Sequence, residues 1–252
     1  MGFYDLPKPE RQNLVNKISA DLLADFLNNT FNSIRYFADD DTYIRKTAYV
    51  AAGRHFRDKP LLRSVIILQL EKLITHADDK VRQTAMNTAG EIAKFDFEVV
   101  SHFFDTGLFD VHHSVRNAVI GSVKKAGEVN PQPVLKWAKG YLHHPLPEVR
   151  REICHGIELR GRKYPEDILP LLQQLEFDKS PRVYNTLVHV IGQIAYKKGC
   201  LLKVLNHLKQ WKNKAIVEKA LVEIVVIHER YKNFSALTAQ QAQTIIDAEM
   251  YS

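Results

Sequence analysis

Cationic and amide side chains recur in this sequence at fixed distances, and those are the residue types that hold anions. Arg45, Arg82, Arg116 and Arg150 are separated by 37, 34 and 34 residues, and further steps of 34 reach Tyr184 and Glu218. One residue after each of these positions stand Lys46, Gln83, Asn117, Arg151, Asn185 and Lys219, a row without an acid. Five residues after them stand Val50, Asn87, Gly121, His155, His189 and Glu223, and twelve after them Arg57, Lys94, Glu128, Arg162, Tyr196 and Arg230. On a helix these offsets share one side, opposite the aliphatic stripe of the same segments. Lys124 and Lys125 lie between the rows. Lysine and arginine supply charge and amides donate hydrogen bonds, so the track suits a nucleic-acid backbone or an acidic protein segment. Its centre is Lys94, Lys124, Arg151, His155, Arg162 and His189, with Tyr196 beside them. The plain alternative is a solvated helix face, which is ordinarily charged.

Other chemistry is sparsely represented. His112-His113 and His143-His144 fall in consecutive turns, but four histidines without a carboxylate or fixed ligand spacing read as polar turn residues rather than a metal site. Cys154 and Cys200 are the only cysteines, in no metal or redox spacing, and read as reduced packing residues. A Gly-rich phosphate loop, a Cys-x-x-Cys pair, a Gly-x-Ser-x-Gly elbow and a His-Glu-x-x-His helix are all missing, so no compact catalytic motif or cofactor is implied.

The elements that must position these residues are read most clearly in Asp78 to Ala93. Its Asp-rich start is a turn, Val81 and Arg82 open a helix, and Ala85, Ala89 and Ile92 share one face. The frame returns at Asp39 to Arg45 before Ala48 and Ala52, at Val115-Arg116 before Val119 and Val123, and at Val149-Arg150 before Ile153 and Ile157. It returns again at Val183-Tyr184 before Leu187 and Ile191, and in phase at Val217-Glu218 before Leu221 and Val225. Before each such helix runs an apolar helical segment, so each repeat predicts a helical hairpin. The first outer helix is expected from Ser19, with Leu22, Leu23, Phe26 and Leu27 facing inward. Proline opens later ones at Pro60, Pro131 and Pro165, where a first turn tolerates it, and Pro170 implies either a late start of its helix or a bend. Trp137 and Trp211 fall on outer helices as packing residues, and Thr238 caps a last helix carrying Ala242, Ile245 and Ile246.

With 45% hydrophobic and 25% charged residues, the 252-residue chain can bury a continuous core. No apolar run approaches the roughly 18 residues of a membrane span. The start Met1-Gly2-Phe3-Tyr4-Asp5-Leu6-Pro7 lacks the basic and apolar regions of a secretory signal, and Leu6 stands where myristoylation wants Ser or Thr. A cytoplasmic protein with no membrane partner is therefore expected. The net charge of +6 permits an acidic partner without requiring one.

The repeated Asp-x-x-Val-Arg start followed by small or aliphatic residues resembles the HEAT repeat, over about residues 35 to 235. The resemblance is clearest at Arg45, Arg82, Arg116 and Arg150, and it departs at Tyr184 and Glu218. It implies an all-α fold: a right-handed α-solenoid of about six hairpins over residues 19–235, after a polar lead-in of residues 1–18, with a capping helix over 236–252. It also implies that each of the four arginines reaches an acid of its own or a neighbouring turn, the candidates being Asp41, Asp79, Asp110 and Glu148, and so staples the repeats rather than a ligand. The polar rows would then line the concave face. The family's commonest use implies a non-catalytic scaffold binding an acidic protein partner. The architecture also resembles the HEAT-like alkylpurine DNA glycosylases, which would make the chain a DNA-binding protein and assign roles to Tyr196, Glu128 or Glu158, and Arg162. Di-iron HEAT-like hydroxylases use several His-Glu pairs where this chain has His228-Glu229 alone, and no residue supports a bilin lyase.

Overall fold

The computed structural model describes residues 2–251, which are all-α, with no strand among them. The chain divides into two compact units, Met1–Pro133 and Val134–Ser252.

In the first unit a 3-10 turn at Phe3–Asp5 precedes α1 (Lys8–Asn28), α2 (Ile34–Phe37), α3 (Thr42–Asp58), α4 (Arg63–Leu73), α5 (Asp79–Ala93), α6 (Ser101–Gly107) and α7 (His113–Val129). Helices α1, α3, α5 and α7 pack side by side in that order, with α2, α4 and α6 set against them. The Asp turns start the inner helices: the side chains of Asp41 and Asp78 accept N–H groups at the second helical residue, Tyr43 and Lys80, at 2.7 and 2.8 Å. The apolar stripe is then buried as its spacing predicts, Val81, Ala85, Ala89 and Ile92 on α5 and Val115, Val119 and Val123 on α7. Glycine sets the helix separation. A Cβ on Gly53 would meet Glu91, and one on Gly90 would meet the side chain and Cα of Ser122, so α3, α5 and α7 approach where no side chain intervenes.

In the second unit follow α8 (Pro131–Tyr141, entering from the first), α9 (Pro147–Gly156), α10 (Glu158–Gly161), α11 (Pro165–Gln173), α12 (Pro181–Ala195), α13 (Leu201–Leu208), α14 (Lys214–Arg230) and α15 (Ala239–Met250). Here α9, α12 and α14 are the inner helices, and α15 packs on α13 and α14. The inner helix of this unit's first repeat is interrupted after Gly156, so α9 and α10 are separate pieces. The stacked hairpins of each unit are consistent with a HEAT-like repeat.

Several expectations need correction. The first helix begins at Lys8 and not at Ser19, because Pro9 is tolerated in its first turn and the polar residues after it form an exposed face over Ile18, Leu22 and Phe26. Leu27 points outward, 65% exposed. On α14 the buried stripe runs through Val217, Ala220, Leu221, Ile224 and Ile227, leaving Val225 only half-buried.

The arginine frame has a more specific geometry than its spacing implies. In all four cases Nη1 donates to the two carbonyls six and five residues earlier: Asp39 and Asp40 for Arg45, His76 and Ala77 for Arg82, Asp110 and Val111 for Arg116, His144 and Pro145 for Arg150. Arg82 and Arg150 also form bidentate pairs with the next turn, Arg82 with Asp110 at 2.8 and 3.0 Å and Arg150 with Asp178 at 2.5 and 2.9 Å. Of the four candidate acids Asp110 serves this purpose for Arg82. Asp41 caps α3, Asp79 lies 3.1 Å from His112, and Glu148 pairs with Arg151 at 2.7 Å. Asp178 had no place among the candidates. Both paired aspartates stand six residues before a frame position, a row that reads Asp39, His76, Asp110, His144, Asp178 and then Lys212. In the first five the side chain accepts the N–H two residues on, at 2.8 to 3.2 Å, so Asp and His are both turn-formers.

Candidate functional site

The five expected track residues of the second unit come together. Arg151 donates to Glu148 at 2.7 Å and lies 3.6 Å from Glu152. His155 Nδ1 is 2.9 Å from Glu158 Oε2, and Arg162 pairs with the other oxygen of Glu158 and donates to Gln193 at 2.7 Å. His189 Nδ1 is 3.2 Å from Glu223 Oε1, and the His155 and His189 rings are 6.4 Å apart. Glu152 and Glu158 are each about 98% buried and stand on either side of the interruption between α9 and α10. A buried carboxylate is tolerated only when paired, and these arginines and histidines pair them. The carboxylate of Glu148 raises the Arg151 guanidinium above its ordinary value, against burial. Arg151 and Arg162 thus face carboxylates of their own chain.

Tyr196 does not line an open surface. It is 4% exposed, its ring stacks on Tyr231 at 5.4 Å, and the Arg162 guanidinium lies 5.8 Å from its centroid. Glu158, Arg162 and Tyr196 are therefore adjacent, as a glycosylase-like reading requires, but the carboxylate is held by Arg162 and by the His155 ring and the tyrosine ring is covered. Burial pushes the Cys154 thiol far above its ordinary value, so it stays protonated.

The first unit places Lys94 at the end of α5, 2.6 Å from Glu91, and Lys124 on α7. Its open features lie beside Lys94. A pocket of about 270 Å³ is bounded by Phe3, Tyr4, Tyr43, Lys46, Val50 and Arg54. A second, of about 450 Å³, shares Val50 and Arg54 and continues over α5 and α7 past Lys94, Phe95 and Val129. Together they form a groove across the inner helices. Its aromatic end is built by the chain before α1. The Phe3 N–H donates to Asp41 at 2.5 Å, and that hydrogen bond, with those from the start of α3, holds the Asp41 carboxyl below its usual range despite burial. The Tyr4 and Tyr43 rings meet edge to face at 4.5 Å, and Phe3 stacks on Tyr43 at 6.2 Å. Among the described residues, neither Lys46 nor Arg54 has an ion-pair partner. Arg54 stands nine residues after its frame arginine, outside the three rows, and the residues before α1 read as merely polar. Three aromatics at 3, 4 and 43 were the only signal for this end, and nothing local joins them.

The histidine pairs sit in turns. His112 packs on His113 at 4.7 Å and faces Ser114, and His143 faces Gln174 at 3.2 Å. Among the described residues no group of three or more His, Cys, Asp or Glu could hold a metal ion, and no helix is long and apolar enough to cross a membrane.

Charge is divided unevenly. The first unit has 17 Lys and Arg against 17 Asp and Glu, and the second has 18 against 12, so the whole net charge of +6 resides in the second.

No protein-family model matches the sequence. No curated protein sequence matches it either. Among solved structures it is similar to smu.31 from Streptococcus mutans UA159, at 17% identity and TM-score 0.48 over 82% of this chain and 96% of that one. It is also similar to an engineered protein, at 14% identity and TM-score 0.37 over 78% and 95%. YibA of Escherichia coli is similar at 20% identity and TM-score 0.36, over 78% of this chain and 68% of that one.

Proposed function

We propose that this chain is a non-catalytic binding scaffold whose groove across α3, α5 and α7 receives an acidic segment of a partner protein. The observation that carries this reading is the pair Lys46 and Arg54, exposed cations on a groove wall without an ion-pair partner, whereas Arg151 and Arg162 of the second unit's cluster face Glu148, Glu152 and Glu158. Apolar and charged side chains line the groove together, a composition common at protein interfaces.

The net charge of +6 in the second unit favours a second reading, DNA held through its phosphates there. The locked Glu158 and covered Tyr196 support binding without base excision in that case.

Fluorescence anisotropy separates the two. A labelled polyglutamate peptide and a labelled duplex are titrated at low and physiological salt against the wild type and a Lys46→Glu/Arg54→Glu variant. The scaffold reading expects peptide binding that the variant lowers at least about tenfold, since each rim charge reversed removes an attraction and adds a repulsion. Duplex binding indifferent to the variant, with no peptide binding, would overturn it.

A further inference from the structure

The structure assigns a second property to the groove, which rests on the acidic-partner reading: we propose that the pocket between the first residues of the chain and α3 is an anchor site for one aromatic side chain of the bound acidic segment. Its volume of about 270 Å³ falls below the roughly 300–1,000 Å³ typical of sites that enclose a whole small ligand, and it suits a single large side chain. Its wall is aromatic, with the edge-to-face pair of Tyr4 and Tyr43 and the stacked Phe3 offering both ring edges and ring faces to an entering ring. Its other rim is cationic, Lys46 and Arg54, so residues flanking the anchor meet positive charge. Beyond Arg54 the groove continues past exposed Phe95 and Val129, which fixes the direction in which the rest of the segment runs.

The pocket is formed before anything binds. Asp41 holds Phe3 from one side, and the Arg11 guanidinium lies 5.2 Å from the Tyr4 ring while donating to the Leu6 carbonyl at 3.2 Å. A wall already held in place removes an ordering cost from association. Charge on the rim and an apolar socket behind it divide the work, the rim steering an acidic chain and the socket slowing its departure.

The test uses two labelled peptides that differ at one position, a polyglutamate carrying a central tryptophan and the same chain with alanine there, titrated against the full chain. The tryptophan peptide is expected to bind at least about tenfold tighter, the scale of burying one large apolar side chain. Tyr4→Ala and Tyr43→Ala remove exposed or half-exposed rings, so both variants fold, which circular dichroism checks. Each is expected to reduce the tryptophan preference to within a fewfold while leaving the alanine peptide unchanged. Equal affinity of the two peptides for the wild type overturns the anchor site and leaves the acidic-segment reading intact. Failure of both to bind overturns both. A tryptophan preference that survives in both tyrosine variants overturns the placement of the anchor.

Discussion

Replacing Asp110 by asparagine isolates one rung of the arginine frame. Asparagine keeps the oxygen that accepts the His112 N–H at 2.8 Å, but it removes the charge that Arg82 grips through two nitrogens. Two unit charges about 4 Å apart attract by about 4 kcal/mol at an effective dielectric of about 20. Both side chains are only 12% exposed, so part of that attraction offsets the cost of removing them from water. The net value lies above the roughly 0–1 kcal/mol of surface pairs and below the roughly 3–5 kcal/mol lost when a fully buried pair is broken, at about 2 kcal/mol. Urea unfolding of the wild type, Asp110→Asn, Arg82→Gln and the double variant closes a double-mutant cycle. Arg82→Gln should cost more than Asp110→Asn, because it also frees the His76 and Ala77 carbonyls. A coupling energy below about 0.5 kcal/mol would refute the argument, since a geometric ladder would then carry no stability. Asp40→Asn, which breaks an exposed pair with Lys80, should leave the midpoint unchanged.

The same carboxylates set a pH dependence. Burial raises the Asp110 and Asp178 carboxyls, but the hydrogen bonds and charges of Arg82 and Arg150, with the N–H groups of His112 and Ser180, outweigh it and hold both below their usual range. A depressed folded-state value gives stability that is fully present above the unfolded value of about 3.9 and is lost as pH falls through the folded one. Thermal midpoints should therefore drop below about pH 4, and less steeply in Asp110→Asn/Asp178→Asn. Gly90→Ala should destabilise by about 1–3 kcal/mol in spite of alanine's better helix propensity, because the new Cβ meets the Cα of Ser122 as well as its side chain. Gly121→Ala, with nothing within 4 Å, should instead stabilise by up to about 1 kcal/mol, and urea midpoints check both signs.

Much of the fold was legible because its signal is local and repeated. A cap, a Val-Arg start and an aliphatic stripe recur within each inner helix, and their burial at Val81, Ala85, Val115, Val183 and Leu187 follows from spacing alone. The partner of each arginine was less legible, since Asp110 and Asp178 lie 28 residues beyond Arg82 and Arg150 and only the turn geometry selects them. The polar rows fell on partly exposed surface, Tyr196 excepted, yet spacing does not disclose that Glu148 and Glu158 pair with Arg151 and Arg162 and that Glu223 faces His189. The groove's aromatic end depends on a contact between Phe3 and Asp41 across 38 residues, which no periodicity encodes.

The central claim is that the unpaired cations beside the aromatic pocket receive an acidic partner. Its most direct measurement is the affinity of a labelled polyglutamate peptide for the wild type and for Lys46→Glu/Arg54→Glu at low salt. Binding that weakens at least about tenfold in the variant is the predicted result. Equal affinity for both proteins, or no affinity for either, would contradict it.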